Sequence, residues 1–186
     1  MNERFDHNPA LYRFLPSEWV TRHSHLIRPG GQVLDLACGQ GRHSRYFLEQ
    51  EFSVVAVDRD ISLLSAVGLP SEQYNDQLEA LEIDLEQGGH TSLFERQFDA
   101  IVVTRYLHRP LLALLPIMLA DGGVLIYETF AVGNERYGRP SNPDFLLKEN
   151  ELLDAFQAHL TVKAFETVEL GTPRSAVVQR ICAIKN

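Results

Sequence analysis

The chain has 186 residues, enough for one domain whose folding buries roughly 70% of the surface of the unfolded chain, and too few for a second of ordinary size. Hydrophobic residues make up 45% and charged residues 23%, an ordinary globular balance, and no stretch approaches the roughly 18 apolar residues of a membrane span. The formal charge is −8, with eleven acids against two arginines between Glu51 and Asp99 and only three lysines in the chain, so no nucleic-acid partner is expected and a small molecule is.

The amino terminus, MNERFDHNPALY, places acids and Pro9 where a signal peptide needs a basic run followed by an apolar one, so the expected location is cytoplasmic. Cys38 and Cys182 fit no zinc spacing and read as reduced thiols; no metal site is expected. Residues 9–27 carry apolar positions at helical spacing, divided by Pro16 into two short helices, and residues 1–28 form a helical lead-in. His23 and His25 stand two apart on it, face different sides, and are expected on the surface.

After the Pro29-Gly30-Gly31 turn, VLDLA reads as a buried strand, CGQG as a turn and RHSRYFLEQE as a helix. A second strand, SVVAVD at 53–58, precedes a helix at 60–67 and an amphipathic third strand, LEALEID, at 78–84. FDAIVVT at 98–104 is the fourth strand, 110–119 a strongly apolar helix, and GGVLIYETF at 123–130 the fifth strand. A polar segment then runs to Pro143, followed by a helix at about 145–159 and two alternating strands near 160–169 and 175–184, a hairpin turned at Gly171 and Pro173. Continuous apolar runs suit a parallel sheet with helices on both faces. The expected architecture is a single α/β domain over 1–186, with an open, doubly wound, mostly parallel seven-stranded sheet ending in an antiparallel strand pair.

In such sheets the ligand lies beyond the carboxyl ends of the strands, near the switch point beside the first strand. There Asp35-Leu36-Ala37-Cys38-Gly39-Gln40-Gly41 has the small residues that let backbone approach a ligand, and the following helix points free N–H groups at an anion. Asp58 closes the second strand, 19 residues after Gly39, where a carboxylate accepts from both ribose hydroxyls; Asp84 closes the third. A nicotinamide cofactor is the rival, but its G-x-G-x-x-G fingerprint lacks an acid at the end of the first strand, and here Ser44 stands where its last glycine would.

VLDLACGQGRHS, VVAVD and EIDLE, in this order, resemble the class I S-adenosylmethionine-dependent methyltransferases, over about Val33 to Ile184. Within that class the look is of the small bacterial tellurite-resistance and thiopurine methyltransferase-like group. The resemblance implies a Rossmann-like fold and S-adenosylmethionine as cofactor, held by Asp35, Ala37, Cys38, Gly39, Gly41, Asp58, Arg59, Asp84, Leu85 and Thr104. Asp84 would meet the adenine amino group and Leu85 the ring. Ala37 replaces the first glycine of the family, with a slightly tighter turn expected. Arg4, Tyr12 and Arg13 would belong to a lid over the cofactor.

Methyl transfer from a sulfonium needs alignment of the acceptor and exclusion of water, and a general base only where the acceptor is protonated at neutral pH. The acceptor should lie over the ends of the fourth and fifth strands, beneath a covering loop at 131–144. There His108 is a candidate base, Glu128 an orienting group, and Tyr106, Tyr127 and Tyr137 an aromatic wall. Structural roles compete with each: His108 as a helix cap, Tyr127 as core, Glu128 paired with an arginine. Arg105, Arg109, Arg136 and Arg139 give the segment 104–140 a formal +1 against −9 for the rest. Guanidinium groups bind oxyanions bidentately, so an anionic small acceptor is expected, with Arg105, Arg109, Tyr127, Tyr137 and Arg139 in contact with it. The alternatives are a methyltransferase acting on RNA or protein, and a cofactor-binding module without activity.

Overall fold

The computed structural model describes residues 14–70, 72–87, 91–171 and 175–186. Arg4, Tyr12, Arg13 and Pro173 lie outside them. Five strands run parallel: β1 (Gln32–Leu36), β2 (Ser53–Asp58), β3 (Leu78–Glu82), β4 (Phe98–Thr104) and β5 (Leu119–Phe130). The last two, β6 (Thr161–Leu170) and β7 (Ala176–Ile184), form the antiparallel hairpin, and β7 inserts beside β5 to give the order β3-β2-β1-β4-β5-β7-β6. This is the expected seven-stranded Rossmann-like sheet.

Successive residues of each apolar run point to opposite faces, so one run feeds two cores. Leu34, Leu36, Val55, Val57, Ile101 and Val103 enter one buried cluster, and Val33, Val54, Ala56, Ala100 and Val102 the other. The first is covered by α3 (Thr91–Phe94), α4 (Arg109–Leu112), α5 (Leu115–Met118) and α6 (Glu151–Phe156) through residues such as Leu93, Leu111, Leu115 and Phe156. The second is covered by α1 (Glu18–His23) and α2 (Arg42–Glu49) through Trp19, Val20, Phe47 and Leu48.

Five expectations need correction. The apolar helix at 110–119 is two, α4 and α5, because Pro116 has no N–H to carry a helix through that point. The helix at 60–67 is a 3-10 segment, Ile61–Val67, capped by the Asp60 carboxylate on the Ser62 N–H at 3.1 Å. The helix at 145–159 shrinks to α6, because Leu147 is drawn into extended pairing, donating to Phe130 O at 2.9 Å and accepting from Val132 N at 3.0 Å. Of the two alternating strands only the outer one, β6, is half-exposed; β7, inside the sheet, is buried along its length up to Ala183. His23 is also buried rather than on the surface: its ring packs at a tilt against Trp19 with centroids 4.2 Å apart and its Nδ1 meets Trp19 O at 2.9 Å, while His25 is exposed as expected. Among the described residues no helix is long and apolar enough to cross a membrane.

Candidate active site

The turn from β1 into α2 builds the first half of the site. Asp35 is buried, and its Oδ2 accepts from the Ser44 backbone N–H at 2.9 Å and the Ser44 hydroxyl at 2.6 Å, stapling the end of β1 to the first turn of α2. Burial pushes its carboxyl up to about 6, although both Ser44 bonds favour the ionised form. Between them the chain passes through left-handed backbone at Ala37 (φ 56°), Gly39 (φ 55°) and Gly41 (φ 74°). The Gly39 N–H donates to Asp58 Oδ2 at 2.8 Å, which fixes that carboxylate at the end of β2.

Beyond the ends of β1, β2 and β3 lies a cleft of about 430 Å³, lined among others by Ala37, Asp58, Arg59, Asp84, Leu85 and Tyr106. The remaining expected cofactor residues stand behind or beside it. Asp35 holds the turn from within, and Gly41 closes it where a Cβ would lie 2.5 Å from Leu64 Cδ2. Gly39 faces open space. The Cys38 thiol is buried in the α2-side core, and burial pushes its pKa far up, so it is inert. Thr104 turns its hydroxyl toward His43 Nδ1 at 3.4 Å.

A second cavity, of about 350 Å³, adjoins the ends of β5, β6 and β7 and is lined among others by Arg105, Glu128, Phe130, Tyr137, Arg139 and Val178. Arg105 lines both cavities. Its own φ is 56°, and its N–H donates to Glu128 O at 2.9 Å, so the backbone that presents it is pinned to the neighbouring strand. Tyr137 and Arg136 both engage the Glu169 carboxylate. Arg139 is exposed and pairs with no carboxylate of the described residues.

The other expected residues lie elsewhere. Arg109 forms a bidentate pair with Glu151 at 2.7 and 3.0 Å and donates to the carbonyls of Asp144 and Leu146 at 2.7 and 3.0 Å; it braces the loop before α6 and lines neither cavity. Tyr127 is core, its hydroxyl donating to Tyr106 O at 2.9 Å. His108 stands at the N-terminus of α4 without a side-chain capping bond and lines neither cavity. Glu128 backs the second cavity but is paired: it accepts from Arg180 Nη1 at 3.1 Å and Ser17 Oγ at 2.8 Å.

Sequence reasoning missed Ser17, His43 and Arg180. Arg180 lies in register between Glu128 and Glu166, so β5, β7 and β6 present an acid, a base and an acid side by side. A charge inside VVQRICAI, opposite one inside VLIYETF, was the available signal. His43 is buried and accepts from the Ser17 N–H at Nε2, 3.1 Å away, which leaves its proton on Nδ1 toward Thr104. Burial, with Arg42 and Arg105 nearby, holds it neutral. The available signal was spacing: His43 stands four residues before Phe47, on the face of α2 that is buried.

Against known proteins, residues 33–119 match the family model of the methyltransferase domain. The ribosomal RNA small subunit methyltransferase H of Nostoc sp. is 36% identical over 76 residues, 40% of this chain and 23% of that protein. Among solved structures, TehB from Haemophilus influenzae superposes with a TM-score of 0.75 at 20% identity over 92% of this chain and 63% of that one. The 1,6-didemethyltoxoflavin-N1-methyltransferase of Burkholderia thailandensis, solved with 1,6-didemethyltoxoflavin and S-adenosylhomocysteine bound, gives 0.65 at 22% identity over 90% and 76%. At these identities the structural likeness is one of fold. The chain thus spans under two thirds of TehB and matches under a quarter of the Nostoc protein.

Proposed function

We propose that this chain, whose residues 33–119 match the methyltransferase domain model, is a class I S-adenosylmethionine-dependent methyltransferase that transfers the methyl group to a small anionic acceptor. One observation carries the reading: one residue, Arg105, lines both the cleft at β1–β3 and the cavity at β5–β7, so a donor in one and an acceptor in the other would meet across it. The cleft fits a nucleoside. It offers carboxylates at two successive strand ends, an apolar wall at Ile83 and Leu85, and an open cradle at Gly39.

In this reading Asp58 accepts from the ribose hydroxyls, Asp84 accepts from the adenine amino group, and Leu85 packs on the ring. When bound, the cofactor supplies a methyl group already activated by its sulfonium. The protein's work is then alignment, which contributes roughly 7–11 kcal/mol in favourable cases. Arg105 and Arg139 orient the anion, and the segment 131–144 covers it through Tyr137. Phe130, Leu170 and Val178 give the cavity an apolar side, so an organic anion fits it better than a bare oxyanion. Glu128, held by Arg180 and Ser17, shapes the wall and removes no proton. The acceptor atom is therefore one with a free lone pair at neutral pH. The free, buried thiols Cys38 and Cys182 support a cytoplasmic setting.

The test is incubation of the purified protein with a metabolite extract and methyl-labelled cofactor, followed by identification of the labelled product. The expected result is one labelled small anion, with its KM raised at least tenfold by Arg105→Ala and Arg139→Ala. An unchanged KM in both variants removes the anion from the proposal. The partial match to a ribosomal RNA methyltransferase supports a second reading, methylation of RNA, which predicts label in the RNA fraction instead. The −9 charge of residues 51–99 weighs against it. Cofactor binding with no label in any fraction would favour a module without activity.

A further inference from the structure

Tyr106 follows the arginine shared by the two cavities, and its side chain lines the cleft rather than the acceptor cavity. Its backbone is clamped: the carbonyl accepts from the buried Tyr127 hydroxyl at 2.9 Å, and the preceding residue is tied to Glu128 O. Its own hydroxyl is sealed from solvent and bonds to nothing among the described residues. A phenol oxygen in that state forfeits its hydrogen bonds with water without replacing them, a condition native structures avoid unless a ligand or function accounts for it. Burial and the carboxylates of Glu86, Asp84 and Asp58 push the phenol up to about 12, against the opposing pull of Arg59, so at neutral pH it keeps its proton and is a donor. Those neighbours also place it. Asp58 and Asp84 are the groups assigned above to the ribose and the adenine, and both line the same cleft as Tyr106.

We propose that Tyr106 is a cofactor-binding residue whose hydroxyl completes its hydrogen bonding only on the nucleoside half of the bound S-adenosylmethionine. This rests on the methyltransferase reading above. It removes Tyr106 from the acceptor wall and from proton transfer. It also gives the end of β4 a division of labour, with Arg105 toward the acceptor and Tyr106 toward the donor.

The test is Tyr106→Phe, which deletes only the oxygen, followed by calorimetry and thermal unfolding with S-adenosylhomocysteine and 5′-deoxy-5′-methylthioadenosine, the latter lacking the amino-acid tail. A net hydrogen bond corresponds to about a three- to tenfold change in affinity. The expected result is that both Kd values rise by the same factor in this range, while the Tm of the free protein holds or rises and the KM of the acceptor is unchanged. Free protein that melts earlier, or does not fold, overturns the proposal, because the hydroxyl is then bonded without ligand. So does unchanged affinity for both ligands, or a loss confined to S-adenosylhomocysteine, which would move the contact to the amino-acid end. Wild-type protein that binds neither ligand instead defeats the methyltransferase reading itself.

Discussion

Replacing Asp35 by asparagine should make the protein less sensitive to rising pH. Asp35 is buried at the end of β1, and its Oδ2 takes both Ser44 donors, so an asparagine carbonyl can serve the same two bonds without ionising. Burial raises the folded-state carboxyl from the ordinary 3.8 to about 6. A folded pKa above the unfolded one means that the native state favours the protonated form; the stability it confers is complete below the unfolded value and is lost as pH rises through the folded one. A gap of this size corresponds to roughly 3 kcal/mol at its plateau, of which roughly 2 kcal/mol develops between pH 4 and pH 7. Urea unfolding followed by far-ultraviolet circular dichroism at unit steps of pH reads this directly, as the difference between wild type and Asp35→Asn. The variant should gain on the wild type by that amount as pH rises. Parallel profiles would refute the reasoning, since they would mean that Asp35 titrates alike in the folded and unfolded chain.

Arg180→Met should cost about 3–5 kcal/mol, because it strands the buried Glu128 carboxylate, and adding Glu128→Leu should restore most of the loss in a double-mutant cycle by denaturant unfolding. Gly41→Ala should cost about 2–4 kcal/mol, combining left-handed backbone with the Leu64 clash, whereas Gly39→Ala, facing open space, should cost about 1 kcal/mol yet weaken S-adenosylhomocysteine binding more than Gly41→Ala does per unit of stability lost. Ala37→Gly should stabilise by about 0.5–1 kcal/mol, relief of φ 56° outweighing the extra freedom of glycine in the unfolded chain; a lower denaturation midpoint would contradict it. Arg109→Met should lower stability by about 1–2 kcal/mol and leave the KM of the acceptor unchanged, since Arg109 bonds the loop before α6 and lines neither cavity.

Strand order, and the meeting of the strand-end acids at one cleft, were legible because they rest on local signals that tertiary packing reinforces. VLDLA, SVVAVD and FDAIVVT are apolar throughout, and only a sheet covered on both faces hides such runs. Asp58, which closes β2, and Asp84, which stands two residues past the end of β3 at Glu82 rather than closing the strand, fall on one cleft because parallel strands in register end together: Leu36 pairs with Val57, and Asp58 with Glu82. Helix lengths were less legible. Pro116 and the extended pairing of Leu147 each outweigh a helical pattern, and Leu147 does so through a partner, Phe130, distant in sequence.

The acceptor half was only partly legible, and the reason is physical. Composition placed four arginines and three tyrosines near one mouth, but which of them face it depends on pairings that no local pattern encodes. Glu151 lies 42 residues from Arg109 and takes it out of the cavity; Arg180 lies 52 from Glu128 and fixes it in the wall. What remains is decided at the end of β4, where chain direction changes over three residues. Thr104 turns back to the neutral His43, Arg105 in left-handed backbone reaches both cavities, and Tyr106 enters the cleft with its hydroxyl unmatched. In an extended strand Arg105 and Tyr106 would simply alternate between the two faces of the sheet. The positive φ at Arg105, held by its N–H bond to Glu128 O, ends that alternation and lets consecutive side chains serve adjoining cavities. The cleft and the cavity are therefore joined at one strained residue, and in the proposed reading a change in the backbone at Arg105 should disturb donor and acceptor binding together, whereas a change at Asp84 or at Arg139 should disturb only one.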